Sequence, residues 1–187
     1  MMKSILNVLV LFLSIFVLYS CNKNKNNDVK QNGIKQNISQ KEIRESLEEI
    51  NRNWLIVESE QINDYIKYHD LSMVQTGTGL RYQIHEAGEG DLIKEGDIVT
   101  LEYDVSLLNG DLIYSSEKDG NKTFLVGRGG VESGLEEAVL KLCKNSVATL
   151  IIPVHLAHGL IGDGNKIPPR ATLVYRLKVV DKQWWIK

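Results

Sequence analysis

Two successive prolines, Pro168 and Pro169, fix two φ angles and remove two backbone donors, so the chain cannot run through them as an interior strand. A strand can begin only at Ala171. From Thr172 onward the apolar residues Leu173, Tyr175, Leu177 and Val179 fall on every second position. That period of two marks a strand buried on one face, and something apolar must cover it.

The same period runs through the region upstream. Leu80 to Ile84 alternates, and Ile98 to Leu108 places Val99, Leu101, Tyr103, Val105 and Leu107 on one face. Gly88-Glu89-Gly90 and Glu95-Gly96-Asp97 mark turns, and Asn109-Gly110 closes a hairpin, because that pair tolerates the positive φ angles of a primed turn. Leu112 to Tyr114, Phe124 to Val126 and Val147 to Pro153 add short strands. Leu135, Ala138, Val139 and Leu142 form one apolar stripe on a short helix, and Val154 to Lys166 is a long loop. The fold class expected is α+β, an antiparallel curved β-sheet wrapped on one short helix.

Before Gly79 the period is helical. Ser39 and Glu42 have capping-box spacing, and Ile43, Leu47, Ile50, Trp54, Ile62 and Ile66 recur at helical intervals, predicting a helix over Gln40 to His69. Its stripe Ile43, Leu47, Ile50, Trp54 and Val57 covers two heptads before Gln61 and Asp64 interrupt it, short for a self-sufficient coiled coil. Packing on the C-terminal domain is therefore expected, with Trp54 as anchor. A homodimer contact through the 40–69 helix is the alternative.

Asn22 to Gln40 is rich in Asn, Lys and Gln and reads as a tether with too little apolar surface to bury. Ahead of it, Lys3, the apolar run Val8 to Leu18 and Leu18-Tyr19-Ser20-Cys21 have the order of a signal peptide ending in a lipobox, with Cys21 as the lipidated residue. The apolar run is well short of the ~20 residues a spanning helix needs. The expected organisation is a lipoprotein signal peptide at 1–20, a disordered tether at 21–39, an N-terminal helix and linker at 40–78, and a folded domain at 79–187.

Several function classes are disfavoured. A net charge of −2 without a basic block in the folded part argues against nucleic acid as a partner. With Cys21 given to lipid, Cys143 cannot form an internal disulfide and is expected to be a buried structural thiol. No serine sits in a G-x-S-x-G elbow, and no Lys-Ser or Lys-Thr follows the glycines of 127–130 to make a phosphate loop. His155 and His158 stand three apart with Asp163 nearby, a spacing that admits a divalent metal if the segment turns helically.

Read together, Gly96-Asp97-Ile98-Val99, Tyr103, Asn109-Gly110, Ser115-Ser116, Gly127, Val131, Gly134-Leu135-Glu136, the run from Ile152 to Gly159 and the run from Ile167 to Tyr175 resemble an FKBP-type peptidyl-prolyl isomerase. The resemblance covers Gly79 to Lys182. It implies an apolar pocket that twists a prolyl imide, with no cofactor and no metal. The barrier of ~18–20 kcal/mol is amide resonance, so removing water from the imide carbonyl and holding the flanking peptide suffices. Carried over position by position, it implies a pocket floor at Leu135, walls at Tyr103, Val131 and Tyr175, and a backbone N–H at Glu132 facing the bound peptide. A flap from Val154 to Ile167 would contribute His158 and Ile167, making His158 a pocket imidazole rather than a metal ligand, and Ile113 and Tyr114 would line the opposite wall.

The departures also carry information. The family has an aromatic at the place of Ile113, an aspartate at Tyr114, an aromatic near Lys122, an aliphatic at Glu132, often a tryptophan at Leu135 and a tyrosine at His158. These changes imply weak isomerase activity and weaker binding of macrolide inhibitors. Ile113-Tyr114-Ser115, His155 to Gly159 and Gly162-Asp163 most resemble the gliding-motility-associated lipoprotein isomerases of Gram-negative bacteria. The expected partners are proline-containing unfolded or exported polypeptides and a membrane reached through the lipid on Cys21. Asn22 and Lys23 lack the aspartate that retains lipoproteins at the inner membrane, so the periplasmic side of the outer membrane is the expected location. Two other readings stand beside this one: a catalytically weak chaperone or binding module on the same fold, and a scaffold of a secretion or motility assembly docking through the helix or Trp184-Trp185.

Overall fold

The computed structural model describes residues 39–184. The signal peptide, Cys21, the tether up to residue 38 and Trp185 lie outside the described residues. Helix α1 spans Gln40–Tyr68. The capping box forms reciprocally: the Ser39 N–H donates to Glu42 Oε2 at 2.8 Å, and the Glu42 N–H donates to Ser39 Oγ at 3.2 Å.

Seven strands follow: β1 (Val74–Gln75), β2 (Arg81–Glu86), β3 (Asp97–Leu107), β4 (Leu112–Ser115), β5 (Lys122–Leu125), β6 (Val147–Ile152) and β7 (Leu173–Trp184). They form one antiparallel sheet in the order β1-β2-β6-β7-β3-β4, with β5 also pairing β3. Helix α2 (Ser116–Asp119) links β4 to β5, and helix α3 (Ser133–Val139) links β5 to β6. The expected α+β architecture is present, with β1 and α2 as additions too short for periodicity to reveal.

The inward residues of β3 and β7 are those their alternation marked. Val99, Leu101, Val105, Leu173, Tyr175, Leu177 and Val179 are buried in one cluster with Leu135, Ala138 and Val139 of α3. Gly134 lets α3 approach this closely, since a Cβ there would lie 2.4 Å from Ile152 Cγ2. Glu136 then accepts from the Gly127 and Gly129 amides at 2.6 and 3.1 Å, holding the glycine-rich turn against the helix.

Val174 and Ile151 point to the other face, where Ile62 and Tyr65 of α1 bury them in a second cluster. Helix α1 thus packs on the domain, but its buried apolar contacts come from its last turns. Trp54 is 51 % exposed, and Ile43, Leu47, Ile50 and Val57 are exposed as well, so Trp54 is not the buried anchor. The link from Tyr68 to Val74, through Leu71 and Met73 packed on the same cluster, holds the C-terminal end of the helix over the sheet. Ile62→Val should cost about 1 kcal/mol in denaturant unfolding, whereas Ile43→Ser should stay within about 0.5 kcal/mol of wild type. Cys143 is half-buried rather than buried, because the turn that ends with its amide donating to Ser146 Oγ at 2.9 Å lies near the surface.

Candidate functional site

Where β3, β4 and β5 curl over α3, a cavity of about 630 Å³ opens, lined by Tyr103, Tyr114, Asp119, Lys122, Val131, Glu132, His158, Asp163 and Ile167 among others. Each element delivers its residues by register. Tyr114 lies opposite Val105, Lys122 opposite Leu101, and Tyr175 opposite Val105 on the other flank of β3. Tyr103 and Tyr175 set their rings side by side, with centroids 6.2 Å apart.

At the first turn of α3, Glu132 occupies the N-cap position but makes no side-chain cap, because its carboxylate turns inward instead. Tyr175 Oη donates to Glu132 Oε1 at 2.5 Å, and His158 Nε2 lies 3.2 Å from the same oxygen. Lys122 Nζ stands 3.6 Å from Oε2 and donates to Tyr175 Oη at 3.1 Å. The same ammonium lies over the rings of Tyr103 and Tyr175, at 5.1 and 5.4 Å from their centroids. Glu132 Oε2 has no hydrogen-bond partner, so the Lys122 charge is its compensation.

Burial alone would raise the Glu132 carboxyl, but Lys122, the Tyr175 hydroxyl and His158 outweigh it and hold the group below its ordinary range. Burial, with Glu132 beside it, pushes the Tyr175 phenol far up. Tyr103 is raised by burial and by the carboxylates of Asp119 and Glu132. The cavity expected to be apolar therefore carries a charge pair on its inner wall, with the carboxylate buried and the ammonium half-buried.

The flap is built around Asp163. Its Oδ1 accepts from the amides of Asn165 and Ile167, both at 2.8 Å, and its Oδ2 accepts from Tyr114 Oη at 2.5 Å, tying the flap to β4. Gly162 precedes it at φ +73°, where a Cβ would lie 2.2 Å from the Ile167 carbonyl oxygen. Burial would raise Asp163, but the bonds from Tyr114 and the two amides bring it below the usual carboxylate range. His155 and His158 are engaged separately, the former with the Thr78 carbonyl oxygen at 2.8 Å and the latter with Glu132.

Six of the residues implied by the resemblance, Tyr103, Tyr114, Val131, Glu132, His158 and Ile167, line this cavity. Tyr175 and Leu135 are fully buried behind it, Tyr175 reaching the polar cluster through its hydroxyl. Ile113 is half-buried against the core, and its carbonyl oxygen accepts from Lys166 Nζ at 3.3 Å. Asp119 and Asp163 also line the cavity. The Gly162-Asp163-Gly164-Asn165 run signals a turn, but nothing local says that its carboxylate reaches Tyr114.

Glu132 and Asp163 have folded values below their unfolded ones, so the stability they contribute is present above the ordinary carboxylate range and is lost as pH falls through the folded values. Urea unfolding should give a constant free energy from about pH 7 to 5.5 and a falling one below about pH 4. Tyr114→Phe should shallow that fall and cost about 1–2 kcal/mol at neutral pH.

A model of the FKBP-type peptidyl-prolyl cis-trans isomerase family matches residues 90–180. FK506-binding protein 1 of Dictyostelium discoideum is 33% identical over 103 residues, which cover 54% of this chain and 96% of that protein. The chain belongs to the FKBP-type peptidyl-prolyl cis-trans isomerase family. A probable family member from Neisseria meningitidis, FkpA, is 41% identical over 106 residues, 56% of this chain; the chain spans 38% of that relative's length. The crystal structure of FkpA from Escherichia coli superposes with a TM-score of 0.58 at 26% identity, covering 79% of this chain and 74% of that one. The family match begins well after helix α1 ends, so α1 and β1 lie outside it.

Proposed function

We propose that this protein is a peptidyl-prolyl cis-trans isomerase that assists folding of exported proteins, acting on proline-containing unfolded segments in the cavity between β3, α3 and the flap. The observation that carries this reading is the cavity itself, in which Tyr103, Val131 and Ile167 meet above Leu135 and Tyr175 in a chain of this family. Tyr103, Val131 and Ile167 supply apolar walls, backed by the buried Leu135 and Tyr175, that exclude water from the imide carbonyl, favouring its less polar, twisted form. The Glu132 backbone N–H, at the start of α3, is the group that the family resemblance assigns to holding the bound peptide. Ile113, Tyr114 and His158 shape the opposite wall and the flap.

Turnover of an Xaa-Pro peptide by the purified protein, with α1 retained, tests this. The cis-to-trans rate should rise above buffer, and Tyr103→Ala should lower kcat/KM about tenfold, as removal of a partly desolvated aromatic wall implies. A wild-type rate equal to buffer overturns the reading.

The leader and Cys21 support a lipid-anchored form at the periplasmic side of the outer membrane, of the kind associated with gliding motility; labelling with a radioactive fatty acid, abolished by Cys21→Ser, would test the anchor. The Lys122–Glu132 pair favours a second reading, a weakly catalytic chaperone or binding module on the same fold, because charge inside the cavity opposes desolvation of the imide. The exposed stripe Ile43, Leu47, Ile50 and Trp54 is where the expected homodimer would form. Suppressed aggregation of a proline-free client, with no peptide turnover, would select the second reading.

A further inference from the structure

The loop that joins β6 to β7, residues 153–172, lines the isomerase cavity with His158, Asp163 and Ile167. Helix α1 holds that loop from outside the family match. Glu58 Oε1 accepts from the Val154 amide at 2.7 Å and from Thr172 Oγ1 at 2.6 Å, so one carboxylate oxygen joins the first and last turns of the loop. Val154 opens the 3-10 turn Val154–Leu156 that leads to His158, and Thr172 immediately precedes β7. One helical turn earlier, Trp54 lies under the Arg170 guanidinium, 4.4 Å from its ring centroid. Residues four apart share a helix face, so α1 meets the loop at two consecutive turns. Glu58 is half-buried and Thr172 is 7 % exposed.

Both donors would lose their acceptor if Glu58 were removed, and a buried unpaired donor favours the open state of the segment that carries it. The helix itself would stay docked, since Ile62 and Tyr65 hold it on Ile151 and Val174. We propose that Glu58 is a positioning residue for isomerisation: by clamping both ends of the 153–172 loop, it sets where His158, Asp163 and Ile167 stand around the bound peptide. This rests on the isomerase reading above, and it makes the pocket dependent on a helix outside the residues that the family model matches.

The test compares Glu58→Ala and Glu58→Gln with wild type in the full folded protein. Glu58→Ala should speed hydrogen exchange of the Val154 amide and its neighbours through residue 160 about tenfold, with β3 and β7 unchanged, and lower kcat/KM for an Xaa-Pro peptide about tenfold. Glu58→Gln keeps a carbonyl oxygen that can accept both bonds, and should remain within about threefold of wild type. Unchanged loop exchange, faster exchange spread evenly over β3 and β7, or loosened loop amides with wild-type kcat/KM would each overturn the proposal. Were the wild-type protein to turn over no peptide, the isomerase reading alone would fail. Loop exchange and the NMR shifts of the His158 imidazole would still decide whether Glu58 sets the cavity, a shift confined to Glu58→Ala supporting the clamp and unmoved signals refuting it.

Discussion

Lys122→Met should lose about 2–3 kcal/mol of unfolding free energy at neutral pH, a large share of the total for a domain this size. The substitution leaves the Glu132 carboxylate buried, with Oε2 lacking any hydrogen bond and its neutralising charge gone. Tyr175 and His158 still hold Oε1, which keeps the loss below that of a wholly uncompensated ion. The pH dependence separates this cause from lost packing. Without Lys122 the carboxyl loses the largest of the influences that lower it and moves up, so the deficit is full above the carboxylate range and narrows as pH falls through that range. A deficit that stays constant between pH 7 and 4 would mean that the methylene stem over Tyr103 and Tyr175, not the charge, was what mattered.

Removing the whole cluster should do the opposite. Lys122→Phe with Glu132→Ile replaces the pair by the residue types the family carries, but it orphans the Tyr175 hydroxyl, which donates to Glu132 and accepts from Lys122. The triple variant with Tyr175→Phe removes that orphan as well. It should recover stability to within about 1 kcal/mol of wild type or better, as apolar replacement of buried ion pairs does. Its kcat/KM for an Xaa-Pro peptide should rise about tenfold, since the imide carbonyl would then meet an apolar wall. A stable triple variant with unchanged turnover would show that the charge cluster is not what limits catalysis.

Leu135→Ala should destabilise the protein by about 3 kcal/mol in denaturant unfolding, the cost of a large-to-small change at a fully buried site that cannot collapse. Collapse is blocked because Gly134 already brings α3 within contact of Ile152 and the sheet side is filled by Tyr175 and its neighbours. Leu135 also lies beneath the cavity wall formed by Val131 and Glu132, so the variant should lose kcat/KM by more than its unfolded fraction explains. Kinetics measured well below the unfolding midpoint distinguish the two. Full specific activity of the folded fraction would place Leu135 in the core alone.

Much of this fold is visible in local pattern. The alternation through Val99, Leu101 and Val105, and again through Leu173, Tyr175, Leu177 and Val179, names the buried face of two central strands, because side chains of a strand alternate whatever it pairs with. Ser39 and Glu42 announce the start of α1 for an equally local reason, since the cap closes within one turn. The stripe from Ile43 to Val57 is just as periodic, yet it is exposed, and Ile62 and Tyr65 are buried instead. Periodicity names a face of a helix, but where along its length that face finds a partner depends on the link that returns the chain to the sheet.

The cavity divides along the same line. Its lining residues Tyr103, Val131 and Ile167, and Leu135 and Tyr175 buried behind them, could be named from sequence through their family-like spacing. That Glu132 turns inward to meet Lys122, Tyr175 and His158, that Asp163 catches Tyr114 across the mouth, and that Glu58 reaches both Val154 and Thr172 could not. The sequence by itself determined which segments become strands and helices and which faces are apolar, since those follow from contacts within a few residues. The tertiary structure decided which charges lie together, because residues far apart in the chain meet only once strand register and helix docking have set them within a few ångströms, where burial makes each charge depend on its neighbour.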